Sequence, residues 1–380
     1  MKILFVLSTL QMGGAEKVAV ELANRWANRY QVSLLTLDVA EDFFTISPLV
    51  ERHSLNILRK SYRNPIPHIK MVLGIKKVAK KTKPDYVISF VGKTNVFVLL
   101  ALNSRKYKII ACEHSTVRQD KEDRLVDFFR HRLYPKAYKL TVLSSSIKED
   151  FIKKYKRVDS NRVVITPNAL DILDKAKQDE KSFRMEVGKS LYEMCGISEG
   201  EGNVVVSLGR FDEVKRFNLL ISIFAKFLNK YADEGFSNTR LVIFGEGSEE
   251  ASYFKLISQL KMKGKIFIHK RISSTISMLR EAKVYAVTSR FEGLSMSMLE
   301  AFYAKCPIVA FDVKGVRDLI FHNNTGVLVD DGNEESFADA IRNLLFNKKL
   351  HNDIKESAYK KVLEYGPQKI DEIWASRLLV

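Results

Sequence analysis

Cysteine is scarce: three residues in 380, Cys112, Cys195 and Cys306, with no Cys-x-x-Cys pair among them. That excludes a disulfide framework and a thiolate zinc site, and it fits a reducing compartment. Eight prolines and 18 glycines, scattered through the chain, are too few for a low-complexity segment. A hydrophobic content of 46% suffices to bury a large core, and the length predicts two domains. No apolar run reaches the roughly 18 residues that cross a bilayer. The longest, Ile3–Leu10 and Val96–Leu102, have strand length. The opening MKILFVLSTL runs into Gly13-Gly14-Ala15-Glu16 and a helical pattern without a small-residue cleavage site, so it reads as a strand rather than a signal peptide. The expectation is a cytoplasmic protein.

Acidic residues are missing from one region. Residues 52–108 hold 14 Lys and Arg against one acid, Asp85. Of the formal net charge of +17, residues 1–177 carry +16 and the remainder +1. Such an excess calls for a negatively charged partner. Ile66, Ile69, Val72, Leu73, Ile75, Val78 and Ala79 interleave there with Lys70, Lys76, Lys77, Lys80 and Lys81. A helix with an apolar stripe and cationic flanks can lie on an anionic membrane surface. The same stripe can instead pack on a sheet while the lysines keep the chain soluble. Cys/His fingers and aromatic Gly-Phe recognition strands are absent, so no nucleic-acid partner is expected.

Short apolar runs alternate with longer amphipathic ones, the pattern of parallel sheets covered by helices. It occurs twice. Strands are predicted at Lys2–Ser8, Gln31–Leu37, Tyr86–Phe90, Lys108–Glu113, Lys139–Leu143 and Val163–Thr166, with helices such as Ala15–Arg29 and Ile66–Lys81 between them. A second set follows at Asn203–Leu208, Thr239–Phe244, Ile266–His269, Val284–Val287, Pro307–Phe311 and Thr325–Leu328. The fold class is α/β, with two doubly wound domains: residues 1–175, a linker at 176–202, and residues 203–367. Gly366-Pro367 breaks the chain before a last helix, about 368–380, expected to return to the first domain.

Neither Gly-x-Gly-x-x-Gly nor Gly-x-x-x-x-Gly-Lys-Ser/Thr occurs, which weighs against a dinucleotide dehydrogenase and a P-loop nucleotidase. Other features carry chemistry. Arg290-Phe-Glu-Gly-Leu-Ser-Met-Ser-Met-Leu-Glu300 follows a strand and opens a helix, placing Glu292 at its entrance and Glu300 about two turns inside. Free amides there suit a phosphate or sugar oxygen, and carboxylates can accept from sugar hydroxyls; equally, Glu292 can serve the helix dipole and Glu300 be solvated. Gly209-Arg210-Phe-Asp-Glu-Val-Lys215 directly follows a strand, where parallel sheets bind ligands, and its cations suit a diphosphate or are solvated loop charges. Gly13-Gly14, between the first strand and first helix, lets a phosphate approach backbone amides. Gly245-Glu246-Gly247 reads as a tight turn. His114 ends the strand Lys108–Glu113, as an acceptor-facing imidazole or a structural residue.

Together these features resemble the large retaining glycosyltransferase family 4, over nearly the whole chain. The resemblance rests on Gly209-Arg210 with Lys215, on Glu292 and Glu300 with seven residues between, on Ser-Arg-Phe-Glu-Gly-Leu and Leu-Glu-Ala-Phe, and on Pro307-Ile-Val-Ala with Thr325-Gly-Val-Leu-Val. It implies the GT-B architecture, two facing Rossmann-like domains with a central cleft. It also implies that Arg210 and Lys215 hold the donor diphosphate, that Glu300 holds the ribose, and that Glu292 faces the donor sugar beside the amides of Gly293, Leu294 and Ser295. Gly13 and Gly14 match the family's first-domain glycine loop, His114 its acceptor-side histidine and Asn168 its Pro-Asn turn. His114, Glu292, Arg210 and Lys215 are thus the expected catalytic set. Arg216 stands where the family usually has Gly, and His269-Lys270 replaces a usual Gly near the base.

The Gly-Gly-Ala-Glu start is similar to bacterial transferases that extend lipid-linked glycans with UDP-N-acetylhexosamines. This implies a UDP-sugar co-substrate and a polyprenyl-diphosphate-linked or other lipid-linked glycan acceptor. The setting implied is bacterial surface polysaccharide or glycoprotein glycan assembly, peripheral on the inner face of the plasma membrane. Retention is implied, with no cofactor and no metal, because the Asp-x-Asp pair that would hold Mg²⁺ or Mn²⁺ is absent. A sugar-nucleotide 2-epimerase, and a non-catalytic sugar- or nucleic-acid-binding protein, are the competing readings.

Overall fold

The computed structural model describes residues 1–11, 13–58, 65–113, 124–170 and 182–379. The chain divides into two compact units, Met1–Ala169 with Gln368–Val380, and Leu170–Pro367.

The first unit is built on β1 (Lys2–Leu7), β2 (Gln31–Asp38), β3 (Glu51–Ile57), β4 (Tyr86–Phe90), β5 (Lys108–Cys112), β6 (Lys139–Val142) and β7 (Val163–Ile165). They form one parallel sheet in the order β3-β2-β1-β4-β5-β6-β7. Ile3 sits opposite both Val32 and Tyr86, so β1 is paired on both edges and reads as a continuous apolar run. The strand order reverses between β1 and β4. β3, with the sequence ERHSLNI, escapes the apolar-run criterion. It is an edge strand, paired only with β2 and mostly part-exposed, so its side chains need not be apolar.

The last helix, Pro367–Leu378, belongs to this unit through its residues from Gln368 onward. Pro367 opens it, where a missing N–H costs nothing. Trp374 is buried and stacks on Phe90, which stacks on Phe5, itself edge-on to Trp26. The Trp374 indole donates to the Pro167 carbonyl (3.0 Å), and Arg25 grips Asp371 with two bonds of 2.9 and 2.8 Å. Burial of one such indole is worth about 3–5 kcal/mol on truncation, enough to hold the helix.

The second unit carries β8 (Asn203–Leu208), β9 (Thr239–Phe244), β10 (Ile266–His269), β11 (Val284–Val287), β12 (Ile308–Phe311) and β13 (Val327–Val329). All pair in parallel in the order β10-β9-β8-β11-β12-β13, so the order reverses between β8 and β11. Residues 182–194, read above as linker, form the helices Ser182–Val187 and Leu191–Met194 and lie within this unit. Phe183, Leu191 and Tyr192 are buried there. Both helices are too short to show a period, which is why composition alone reads them as polar connection.

Candidate active site

In open parallel sheets ligands bind outside the carboxyl ends of the strands, where the order reverses. In the second unit that point is flanked by the loops after β8 and β11. The Asp212 carboxylate accepts from the amides of Val214 (3.0 Å) and Lys215 (3.2 Å), curling the first loop back. Arg290 N–H donates to the Val214 carbonyl (2.8 Å), joining it to the second. The ammonium of Lys215 then reaches Glu292 Oε1 at 2.7 Å, and the Ser289 hydroxyl donates to the same oxygen at 2.6 Å. Glu292 N–H donates to the Lys314 carbonyl (3.1 Å). The chain comes so close there that a Cβ on Gly315 (φ +82°) would stand 2.0 Å from the Glu292 carbonyl oxygen. The Gly245-Glu246-Gly247 turn packs against the first loop in the same way. A Cβ on Gly245 would lie 1.9 Å from the Gly209 carbonyl oxygen.

The helix after this loop runs Met296–Tyr303, with Ser295 as a cap whose side chain makes no capping bond. Its first amides therefore remain available to an anion. The Ser295 hydroxyl pairs with that of Ser297 (3.0 Å), which pairs with the buried Tyr285 hydroxyl (2.7 Å). Glu300 is the fifth helical residue, in the second turn, rather than two turns inside; residues up to Ser295 form a loop held by Lys314. Thr275 donates to Glu300 Oε2 at 2.9 Å. Gly293 is half-buried and Leu294 buried beside the cap. Arg210 is not packed into this cluster: its side chain is 76% exposed, 3.4 Å from Asp212. His269 ends β10 with its ring stacked on Phe244 (5.7 Å), and burial pushes its pKa down, favouring the neutral imidazole. Among the described residues no three His, Cys, Asp or Glu side chains gather to hold a metal ion.

The first unit holds the other expected residues. Gly13 is the cap of helix Gly14–Trp26, extended at φ −162°, and Gly14 has open space where a Cβ would be. The Glu16 carboxylate crowds Gly13, and burial raises its pKa. His114 lies outside the described residues. Sequence reasoning missed the polar network that precedes it. Ser89 donates to the Asn95 side-chain oxygen (2.7 Å), the Asn95 amide donates to the Cys112 carbonyl (3.1 Å) and to Glu113 (3.2 Å), and the Tyr134 hydroxyl donates to Glu113. Val91, at the end of β4, has φ +70°, a rare conformation for a β-branched residue. Asn168 is buried next to Pro167.

Helix Pro65–Thr82 has two apolar faces. Met71, Ile75, Val78 and Ala79 are buried, whereas Ile66, Ile69 and Leu73 are more than half exposed. Lys70, Lys76, Lys77 and Lys80 are exposed; Lys81, also exposed, pairs with Glu51 of β3 at 3.1 Å. No helix among the described residues is long and apolar enough to cross a membrane.

Two doubly wound parallel domains, the second with a lysine–glutamate pair and an open helix start at its point of strand reversal, define a GT-B glycosyltransferase. The family described as "Glycosyl transferases group 1" matches residues 197–361, and "Glycosyltransferase Family 4" matches residues 12–172. The first half thus matches a family 4 glycosyltransferase domain and the second a group 1 glycosyltransferase domain, and the chain is a glycosyltransferase. It is 28% identical, over 98% of its length and 97% of the relative's, to the GalNAc-alpha-(1->4)-GalNAc-alpha-(1->3)-diNAcBac-PP-undecaprenol alpha-1,4-N-acetyl-D-galactosaminyltransferase of Campylobacter jejuni. A second transferase of that organism, the N-acetylgalactosamine-N,N'-diacetylbacillosaminyl-diphospho-undecaprenol 4-alpha-N-acetylgalactosaminyltransferase, is 24% identical over 97% of this chain and 96% of its own. Among solved structures, Anabaena HepE in complex with UDP matches the fold with a TM-score of 0.77 at 17% identity, covering 100% of both chains.

Proposed function

We propose that this glycosyltransferase moves an N-acetylhexosamine from a UDP-sugar to a polyprenyl-diphosphate-linked glycan at an anionic membrane surface, with retention and without a metal. The observation that carries the reading is the 2.7 Å contact between Lys215 and Glu292 at the switch point, beside the uncapped start of the helix bearing Glu300. The names of the Campylobacter relatives supply the acceptor class and the N-acetylhexosamine.

In this mechanism the donor diphosphate lies against Lys215, the exposed Arg210 and the amides at Ser295, while Glu300 accepts from the ribose hydroxyls and Glu292 from the sugar. As the anomeric C–O bond to phosphate breaks, its electron pair goes to the phosphate oxygen. Cations placed there bind the transition state more strongly than the ground state. The acceptor hydroxyl attacks from the face the phosphate leaves, forming the new C–O bond, and its proton passes to the departing phosphate. Same-face attack is what preserves the anomeric configuration. Metal independence rests on these basic groups doing the neutralising in a chain without Asp-x-Asp.

Membrane attachment is assigned to helix Pro65–Thr82, whose exposed Ile66, Ile69 and Leu73 are interleaved with Lys70, Lys76, Lys77 and Lys80. Titration calorimetry with UDP, GDP and ADP, without added metal, on wild type and Glu300→Ala tests the donor site. Selective UDP binding that weakens in the variant is expected. Preference for another nucleotide overturns the donor, and no binding at all overturns the site.

A further inference from the structure

We propose that Arg216 is a positioning residue of the transfer reaction, a latch between three strand ends that holds Lys215 against Glu292. The inference rests on the donor-site reading above. It starts from a conflict in the backbone. Arg216 sits at φ +51°, ψ +42°, capping helix Phe217–Tyr231. This is the left-handed region, where glycine is at ease and a residue with a Cβ is strained. The family resemblance puts glycine at this step, where this chain has arginine.

Its side chain shows what offsets the strain. The guanidinium donates through Nε to the Thr288 carbonyl (2.7 Å) and through Nη2 to the Ser289 carbonyl (3.0 Å) and to Asp331 Oδ1 (2.5 Å). It also lies over the Phe311 ring at 5.1 Å. The chain thus touches the ends of β11, β12 and β13 from the end of β8, with its side chain only 16% exposed. A planar fork with fixed donor directions reaches two successive carbonyls and a carboxylate together, which a lysine ammonium on its flexible stem does not. The bond set is reciprocal, because the Thr288 hydroxyl donates back to the carbonyls of Lys215 (3.0 Å) and Arg216 (3.2 Å).

Both residues that make the Lys215–Glu292 contact are therefore neighbours of the latch. Lys215 precedes Arg216 in the chain. Ser289, whose carbonyl Arg216 holds, sends its hydroxyl to Glu292. Without the guanidinium, the loops lose the bonds to the Thr288 and Ser289 carbonyls and keep the Thr288 hydroxyl, the Arg290 amide and the Lys215–Glu292 pair itself. Arg216 itself need not touch the donor; it fixes the distance at which Lys215 and Glu292 meet it before binding, which is preorganisation.

The full-length variants Arg216→Gly, Arg216→Lys and Asp331→Asn test this. Glycine relaxes the backbone while removing the latch, so the melting temperature is expected to stay within a few degrees of wild type. UDP affinity is expected to change less than about threefold, while kcat falls at least about tenfold, the scale of a small misplacement of reacting groups. Arg216→Lys is expected to recover little of kcat, and Asp331→Asn to lower it in the same direction. A kcat within twofold of wild type in Arg216→Gly overturns the latch. If that variant does not fold, wild-type kcat in Arg216→Lys does so. If wild type neither binds UDP nor transfers sugar, the donor-site reading fails instead. Crystal structures then decide the latch, and an unchanged Lys215–Glu292 contact in Arg216→Gly refutes it.

Discussion

Lys215 and Glu292 are 77 positions apart and share one short ion pair. Lys215→Ala removes a charged hydrogen bond worth about 1.5–3 kcal/mol, and in the proposed mechanism that interaction strengthens as the phosphate leaves. The expected loss is roughly 10- to 150-fold in kcat/KM, read from initial rates at low donor concentration. Unchanged turnover would remove Lys215 from the reaction. At this scale the candidate residues were legible because cations directly after a strand, and acids flanking a strand-to-helix turn, stand where parallel sheets bind ligands. Their partners were not. Nothing near Arg216 in the sequence points to Asp331, 115 positions on, because that pairing exists only once β8 and β13 lie in one sheet.

The helix Thr275–Glu281 shows how an element is held by residues far away. Its cap Ser274 makes no capping bond of its own. Instead Glu186, from the segment read as linker, accepts from the amides of Ser273 (2.9 Å) and Ser274 (3.0 Å) and from both hydroxyls. Arg184 grips Glu281 near the helix end at 2.9 Å. Partial burial pushes the Glu186 carboxyl upward, but the hydrogen bonds from Ser274 and Ser273 outweigh it, and its pKa is lowered from the usual carboxylate value. A depressed folded pKa contributes stability above the unfolded value, and that contribution is lost as pH falls through the folded one. Acidification from about pH 5 downward is therefore expected to lower the melting temperature of wild type more than that of Glu186→Gln. Parallel curves would show that this carboxylate contributes nothing. Because Thr275 holds Glu300, the strap also supports the expected ribose contact. The strands flanked by two neighbours were legible from their apolar runs. The edge strands β7, β10 and β13 were legible in the same way, but β3 and the short helices at 182–194 were not, since ERHSLNI holds no apolar run and a single turn shows no period.

For the molecule as a whole the dominant feature is its uneven charge, +16 in residues 1–177 out of +17. Flotation with neutral and anionic vesicles is expected to show binding to the anionic ones only, falling as salt rises. At about 1 kcal/mol per cation near the surface, each of Lys70, Lys76, Lys77 and Lys80 replaced by Gln should lower partitioning about fivefold. Replacing Ile69 and Leu73 by Ser tests the exposed apolar stripe separately. Equal binding to both vesicle types, independent of salt, would refute an electrostatic contact.

The amino-acid order by itself determined the two α/β halves, the return of the last helix, and the residue types of the site, because burial on both faces of a parallel sheet and strand-to-helix turns leave local patterns. Tertiary structure alone decided that Lys215 meets Glu292, that Glu300 lies in the second helical turn with Thr275 as its partner, and that Arg216 ties three strand ends together. It also assigned residues 182–194 to the second unit. Those outcomes depend on strand order, which brings together residues 25 to 115 positions apart, and no local periodicity records which residues those are.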